Sequence, residues 1–205
     1  VDITPCLLDA DNPLMVDGVT LGSRIAATGK RHLWEGRCTP GGVDVIVIHT
    51  VCAEGIMPAD PFDRRWILKI FCDLGVSSHY LVERSGSVLR LVPEEMKAWH
   101  AGGSIMPEPD NRRGVNEFSL GIELTASAGS GFAAAQYDRL AELCADIEYR
   151  REKRFGYVGH EDIAGRRAVS EGLRTDLKTD PGPAFAWGDF FKRLGERRLL
   201  HEGAP

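Results

Sequence analysis

The hydrophobic pattern divides the chain into strands, helices and loops that suit one α/β domain. Val43-Asp44-Val45-Ile46-Val47-Ile48-His49-Thr50 is β-branched and apolar on both faces apart from Asp44, the pattern of a central strand covered on both sides. His49 stands at its C-terminal end. Asp60-Pro61 reads as an N-cap and first-turn proline, and Phe62, Trp66, Ile67, Ile70, Phe71 and Leu74 recur at helical spacing until Gly75. His79 to Arg84 and Val88 to Val92, split by Ser85-Gly86-Ser87, predict an antiparallel hairpin. Phe118 to Leu124 alternates, with Leu120, Ile122 and Leu124 on one face and Gly121 and Glu123 on the other. A helix from Ala133 to about Phe155 carries the stripe Tyr137, Leu140, Cys144 and Ile147, with Gly156 as its stop. Phe185, Trp187, Phe190, Phe191 and Leu194 predict a last helix.

Elsewhere the period fails. Residues 1–40 mix prolines, glycines and scattered charges and read as an irregular extension packed on the core, leaving 41–200 as the domain proper. Trp99-His100-Ala101-Gly102-Gly103 opens a long loop with Pro107, Pro109 and a polar Asp110 to Arg113 stretch, and a loop of that length in a compact domain commonly borders a cleft. Residues 161–177 read as another loop.

Composition narrows the function classes. The chain has 205 residues, 43% of them hydrophobic, enough for one good core. Its net charge of -5 is dispersed, so nothing points to nucleic acid, and the apolar runs are too short to span a bilayer. Five cysteines show no CxxC spacing, which argues against a zinc ribbon or a redox pair.

The candidate chemistry lies in the histidines and two late motifs. His49 ends a strand, His160 follows Gly159, and Lys178-Thr179-Asp180-Pro181-Gly182-Pro183 puts an ammonium and a carboxylate in a rigid turn. Each has a bland alternative: a satisfied core histidine, a solvated lysine, or Asp180 as the cap of a helix near Pro181. His32 and His201 read as solvated and His79 as structural. No G-x-S-x-G occurs, so a serine nucleophile lacks its motif, and Cys52 near His49 reads more simply as a small buried residue.

Taken together, Ile46 to Thr50, Ala98-Trp99-His100-Ala101-Gly102, Asn116 to Leu124, Gly159-His160-Glu161-Asp162-Ile163-Ala164 and Lys178 to Phe185 resemble, in order, the zinc-dependent N-acetylmuramoyl-L-alanine amidases. These are relatives of peptidoglycan recognition proteins and of phage lysozyme-type amidases, and the branch that looks most similar cleaves anhydro-muropeptides. The resemblance covers residues 43 to about 190 and implies a single domain with a central mixed β-sheet flanked by helices. It implies one catalytic Zn2+ on His49, His160 and Asp180, a catalytic Glu123 that moves the proton, and Lys178 stabilising the oxyanion. Two imidazoles and a carboxylate leave a fourth tetrahedral position for water, as catalytic zinc requires.

Trp99, His100 and Arg166 are candidate substrate contacts, with Arg167 and Arg174 as the other arginines that could meet an acidic substrate. The partners implied are peptidoglycan fragments or peptidoglycan, and a monomer is expected. The 165–177 segment is longer than in family members and leaves Asp176 as a rival third ligand; the Pro-Gly-Pro after Asp180 favours Asp180. The alternatives are a non-catalytic peptidoglycan-binding module on this fold and, further off, a thiol or serine hydrolase. Phe71-Cys72-Asp73-Leu74-Gly75 is similar to a stretch that is disulfide-bonded in recognition proteins, without indicating a partner for Cys72. The compartment is left open between the cytoplasm of recycling enzymes and the periplasm or exterior.

Overall fold

A computed structural model describes residues 1–38 and 42–202; the expected boundary between residues 40 and 41 lies outside them. The N-terminal segment is not irregular. It forms β1 (Ile3–Pro5), a hairpin of β2 (Met15–Val16) and β3 (Val19–Thr20), helix α1 (Leu21–Ala27) and β4 (Trp34–Gly36). Thr20 caps α1, its hydroxyl accepting from the Ser23 amide at 3.0 Å. These pieces are too short to show a period, yet Leu8, Val16, Leu21, Ile25 and Leu33 are buried with Ile67, Leu68 and Phe71 in one cluster.

The chain continues through β5 (Val45–Val51), α2 (Arg64–Leu74), β6 (Tyr80–Val82), β7 (Val88–Arg90) and β8 (Met96–Ala98). It then runs through a 3-10 turn at Val115–Glu117, β9 (Ser119–Thr125), α3 (Ala134–Arg150), β10 (Gly156–Gly159), α4 (His160–Ala164), α5 (Arg166–Ser170) and α6 (Trp187–Glu202). Among the described residues, the main sheet has the order β1-β7-β6-β9-β5-β10, antiparallel only between β6 and β7. The central mixed sheet and the predicted hairpin are therefore present.

Several boundaries differ from the sequence reading. The cap of α2 is Asp63, not Asp60: its carboxylate accepts from the Arg65 amide at 2.9 Å. Gly75 ends that helix in the left-handed conformation, φ 65°, which glycine adopts without a Cβ clash. Helix α3 stops at Arg150, not near Phe155, because the chain turns back and Glu148 accepts the Phe155 amide at 3.2 Å. Residues 161–177, read as a loop, contain α4 and α5, each only five residues long and thus without a readable period.

The sheet's two faces do different work. On β5 and β9, Ile46, Ile48, Leu120, Ile122 and Leu124 pack with Tyr137, Leu140 and Phe190 of the α3 and α6 layer. Val45, Val47 and His49, with Ser119, Gly121 and Glu123, point the other way, since side chains alternate along a strand. No helix among the described residues is long and apolar enough to cross a membrane, and all five cysteines, Cys72 included, are free thiols.

Candidate active site

Parallel pairing of β5 and β9 sets His49 opposite Glu123 and Val47 opposite Gly121. Pairing of β10 with β5 ends at Gly159 opposite Ile48, so His160, the first residue of α4, emerges beside His49; their ring centroids are 4.5 Å apart. Asp180 is brought in from the far end of the 165–177 segment, its carbonyl accepting the Glu161 amide at 2.8 Å. The site thus lies at the carboxyl ends of parallel strands, the usual place for ligands on open α/β sheets.

One nitrogen each of His49 and His160 and one oxygen of Asp180 lie within 4.8 Å of one another. His49 Nδ1 is 3.4 Å from Asp180 Oδ2, and His160 Nδ1 is 3.2 Å from either carboxylate oxygen. Zinc–ligand bonds of about 2.0–2.1 Å set at tetrahedral angles space their donors about 3.3 Å apart, so this donor set fits zinc. Burial lowers the His49 pKa to about 4, with contact to Asp180 only partly opposing it; the ring is therefore neutral and able to ligate. Burial pushes Asp180 up, but its contacts with His160 and His49 outweigh this and hold it below the usual carboxylate range. Asp176, the rival ligand, is 62% exposed and pairs instead with Arg174 at 3.1 Å and Lys178 at 3.5 Å. Asp180 caps no helix, since α6 begins at Trp187.

Glu123 is buried, and its Oε2 has no hydrogen-bond partner among the described residues. Burial raises its pKa well above the ordinary value; Asp180 adds to this and Lys178 opposes it. A carboxyl so placed holds a proton readily, as an acid/base group should. Lys178 lines the same cleft, a cavity of about 550 Å³, within the range typical of ligand sites. Trp99 also lines it, as do the apolar Ile70, Phe71 and Val76.

The candidate substrate contacts take different positions. Arg166 is exposed and absent from the cleft lining, whereas Arg174 lines it. His100 lines the cleft as expected, but it is buried and both ring nitrogens are engaged within the protein, one 2.9 Å from His49 Nε2 and the other 3.2 Å from the Ser119 hydroxyl. Lys30, from the turn after α1, also reaches the cleft. A lone lysine in a segment without periodicity gave no signal of this.

A buried carboxyl and an amine beside a possible one-metal donor set, in a cleft at the strand ends, make an arrangement suited to hydrolysis. The chain belongs to the N-acetylmuramoyl-L-alanine amidase family, which matches residues 39–183, and is an amide hydrolase. The 1,6-anhydro-N-acetylmuramyl-L-alanine amidase AmpD of Escherichia coli strain K12 is 33% identical over 162 residues, covering 71% of this chain and 79% of that protein. A crystal structure of a Se-Met AmpD derivative superposes with a TM-score of 0.58 at 26% identity, over 78% of this chain and 89% of that one. The amidase AmiD from E. coli, in complex with the substrate anhydro-N-acetylmuramic acid-L-Ala-D-gamma-Glu-L-Lys, gives a TM-score of 0.57 at 32% identity. That match covers 78% of this chain and 60% of AmiD.

Proposed function

We propose that the chain is a zinc amidase that hydrolyses the bond between the muramic acid lactyl group and L-alanine in anhydro-muropeptides. His49, His160 and Asp180 hold the metal, Glu123 is the acid/base and Lys178 the oxyanion donor. The observation that carries this reading is Glu123: a buried carboxyl with an unpartnered oxygen, in register with a metal-type histidine. A binding module needs no such group, because an unsatisfied buried polar atom only costs stability.

The chemistry zinc supplies when bound is Lewis acidity, lowering the pKa of a water from about 15.7 toward about 7 and polarising a carbonyl. Glu123 takes a proton from the attacking water as its oxygen bonds to the lactyl carbonyl carbon. The same carboxyl then gives that proton to the alanine nitrogen as the C–N bond breaks. Lys178 meets the negative charge that builds on the carbonyl oxygen. The substrate bound to AmiD contains a γ-linked glutamate, a linkage that leaves its α-carboxylate free. Lys30 and Arg174 give this cleft cations for such a group. Of the three candidate arginines, Arg174 is the one that lines the cleft.

The test is mass spectrometry of the zinc-loaded protein with a soluble anhydro-muropeptide and, separately, intact peptidoglycan. Release of a peptide beginning with L-alanine from the soluble fragment is expected. Binding of the fragment without cleavage would replace the enzyme by a binding module, and cleavage of intact wall at equal rate would make it a wall hydrolase.

A further inference from the structure

Both metal-type histidines lean on one dipeptide. His49 Nε2 lies 2.9 Å from His100 Nδ1, and His160 Nε2 lies 3.4 Å from the Ala101 carbonyl. The amides of His100 and Ala101 both donate to a single atom, Asn116 Oδ1, at 3.1 and 2.8 Å. Asn116 is itself fixed from behind: the buried Arg37 guanidinium donates to the carbonyls of Asn116, Glu117 and Ser119 at 2.8 to 2.9 Å. Gly121 gives the His100 ring its room, for a Cβ there would stand 2.5 Å from His100 Cγ.

The direction of each hydrogen bond follows from the acceptors at the ends. The Ser119 hydroxyl donates to the Val115 carbonyl at 2.6 Å, so its oxygen accepts from His100 Nε2–H at 3.2 Å. His100 Nδ1 is then an acceptor and receives His49 Nε2–H. That leaves the lone pair of His49 on Nδ1, the atom facing Asp180. His160 stands between two acceptors, the Ala101 carbonyl at Nε2 and the Asp180 carboxylate at Nδ1; with a metal held on the Asp180 side, its proton would rest on Nε2 toward Ala101.

From this convergence we infer that His100-Ala101, clamped by Asn116, is a collar that sets the tautomer of His49 and the orientation of both metal-binding histidines. His100 is thus a positioning residue, and the assignment rests on the proposed metal site. Outer partners of this kind typically change metal affinity about 10- to 100-fold when removed.

The test compares wild type with His100→Leu, His100→Asn and Asn116→Leu by three measurements. These are imidazole nitrogen NMR of the metal-free protein at neutral pH, zinc affinity by competition with a chelating dye, and thermal melting. Wild type should show His49 protonated on Nε2. His100→Leu should mix the two tautomers and weaken zinc binding about 10- to 100-fold. His100→Asn, which keeps an acceptor near the Nδ1 position, should recover part of that loss. Asn116→Leu should weaken zinc while disturbing both histidines' resonances. A wild-type His49 protonated on Nδ1 would overturn the collar, as would unchanged zinc affinity in folded His100→Leu. If a leucine variant does not fold, the wild-type tautomer and His100→Asn still decide. Failure of wild type to take up zinc would instead overturn the metal reading, while the tautomer still judges the collar.

Discussion

Glu123 and Glu148 are both buried glutamates, 9% and 3% exposed, and their surroundings are opposite. Glu148 receives two hydrogen bonds from Arg198 at 2.7 Å, one from Arg154 at 2.9 Å and one from the Tyr157 hydroxyl at 2.9 Å, besides the Phe155 amide. Burial pushes it up, but those donors more than compensate, and its pKa is lowered. Among the described residues Glu123 has no partner at Oε2, and its pKa is raised. Burial is common to both. What separates a structural carboxylate from a reactive one is whether its hydrogen-bonding capacity has been consumed inside the fold.

The comparison breaks most directly by neutralising each in turn. Glu123→Gln should lower kcat by about 100- to 10,000-fold while leaving zinc binding intact. A kcat within threefold of wild type would remove Glu123 from the chemistry. Its stability effect has a definite sign in the metal-free protein. A carboxyl with a raised folded pKa loses stability as pH rises above its unfolded value, so the glutamine variant should be the more stable at pH 7 in urea unfolding.

Next in size is Lys178→Met, expected to reduce kcat about 100- to 1,000-fold with little change in KM, as for loss of an oxyanion donor. A change confined to KM would make Lys178 a binding residue only. Glu148→Gln should leave kcat near wild type and cost about 3 kcal/mol in urea unfolding, the scale for breaking a buried ion pair. Lost activity at full stability would contradict its structural role.

The smallest effect is a slope. Burial, with Arg37 beside it, lowers the His79 pKa to about 3, below the unfolded value of about 6.5. Its contribution is fully present above pH 6.5 and is lost as pH falls through the window toward 3. Metal-free protein should therefore lose stability between pH 6.5 and 4.5, before most carboxylates protonate. His79→Gln should flatten that slope; an unchanged slope would place its origin elsewhere.

The sequence made some of this legible and hid the rest for physical reasons. Strands β5 and β9 were readable because both are seven residues long, enough for period and face to show. Their register, which puts His49 beside Glu123, was not, because pairing is a tertiary fact. The preference for Asp180 over Asp176 came from the Pro-Gly-Pro context; the structure supplies the distance. His100 was read as shaping the cleft within reach of substrate; the Gly121 gap and the contacts with His49 and Ser119 show that its ring nitrogens are spent inside the fold. Arg37 and Lys30 lie in a segment whose strands are two or three residues long, and there no pattern could mark them.

The most direct test of the whole account is a zinc titration of metal-stripped protein, following release of L-alanine-headed peptide from an anhydro-muropeptide. Activity should be absent under chelation, rise in proportion to added zinc and level off at one equivalent per chain. Asp180→Ala should stay inactive throughout, and Asp176→Ala should follow wild type. Full activity in stripped protein held under chelator, or an active Asp180→Ala, would contradict the account.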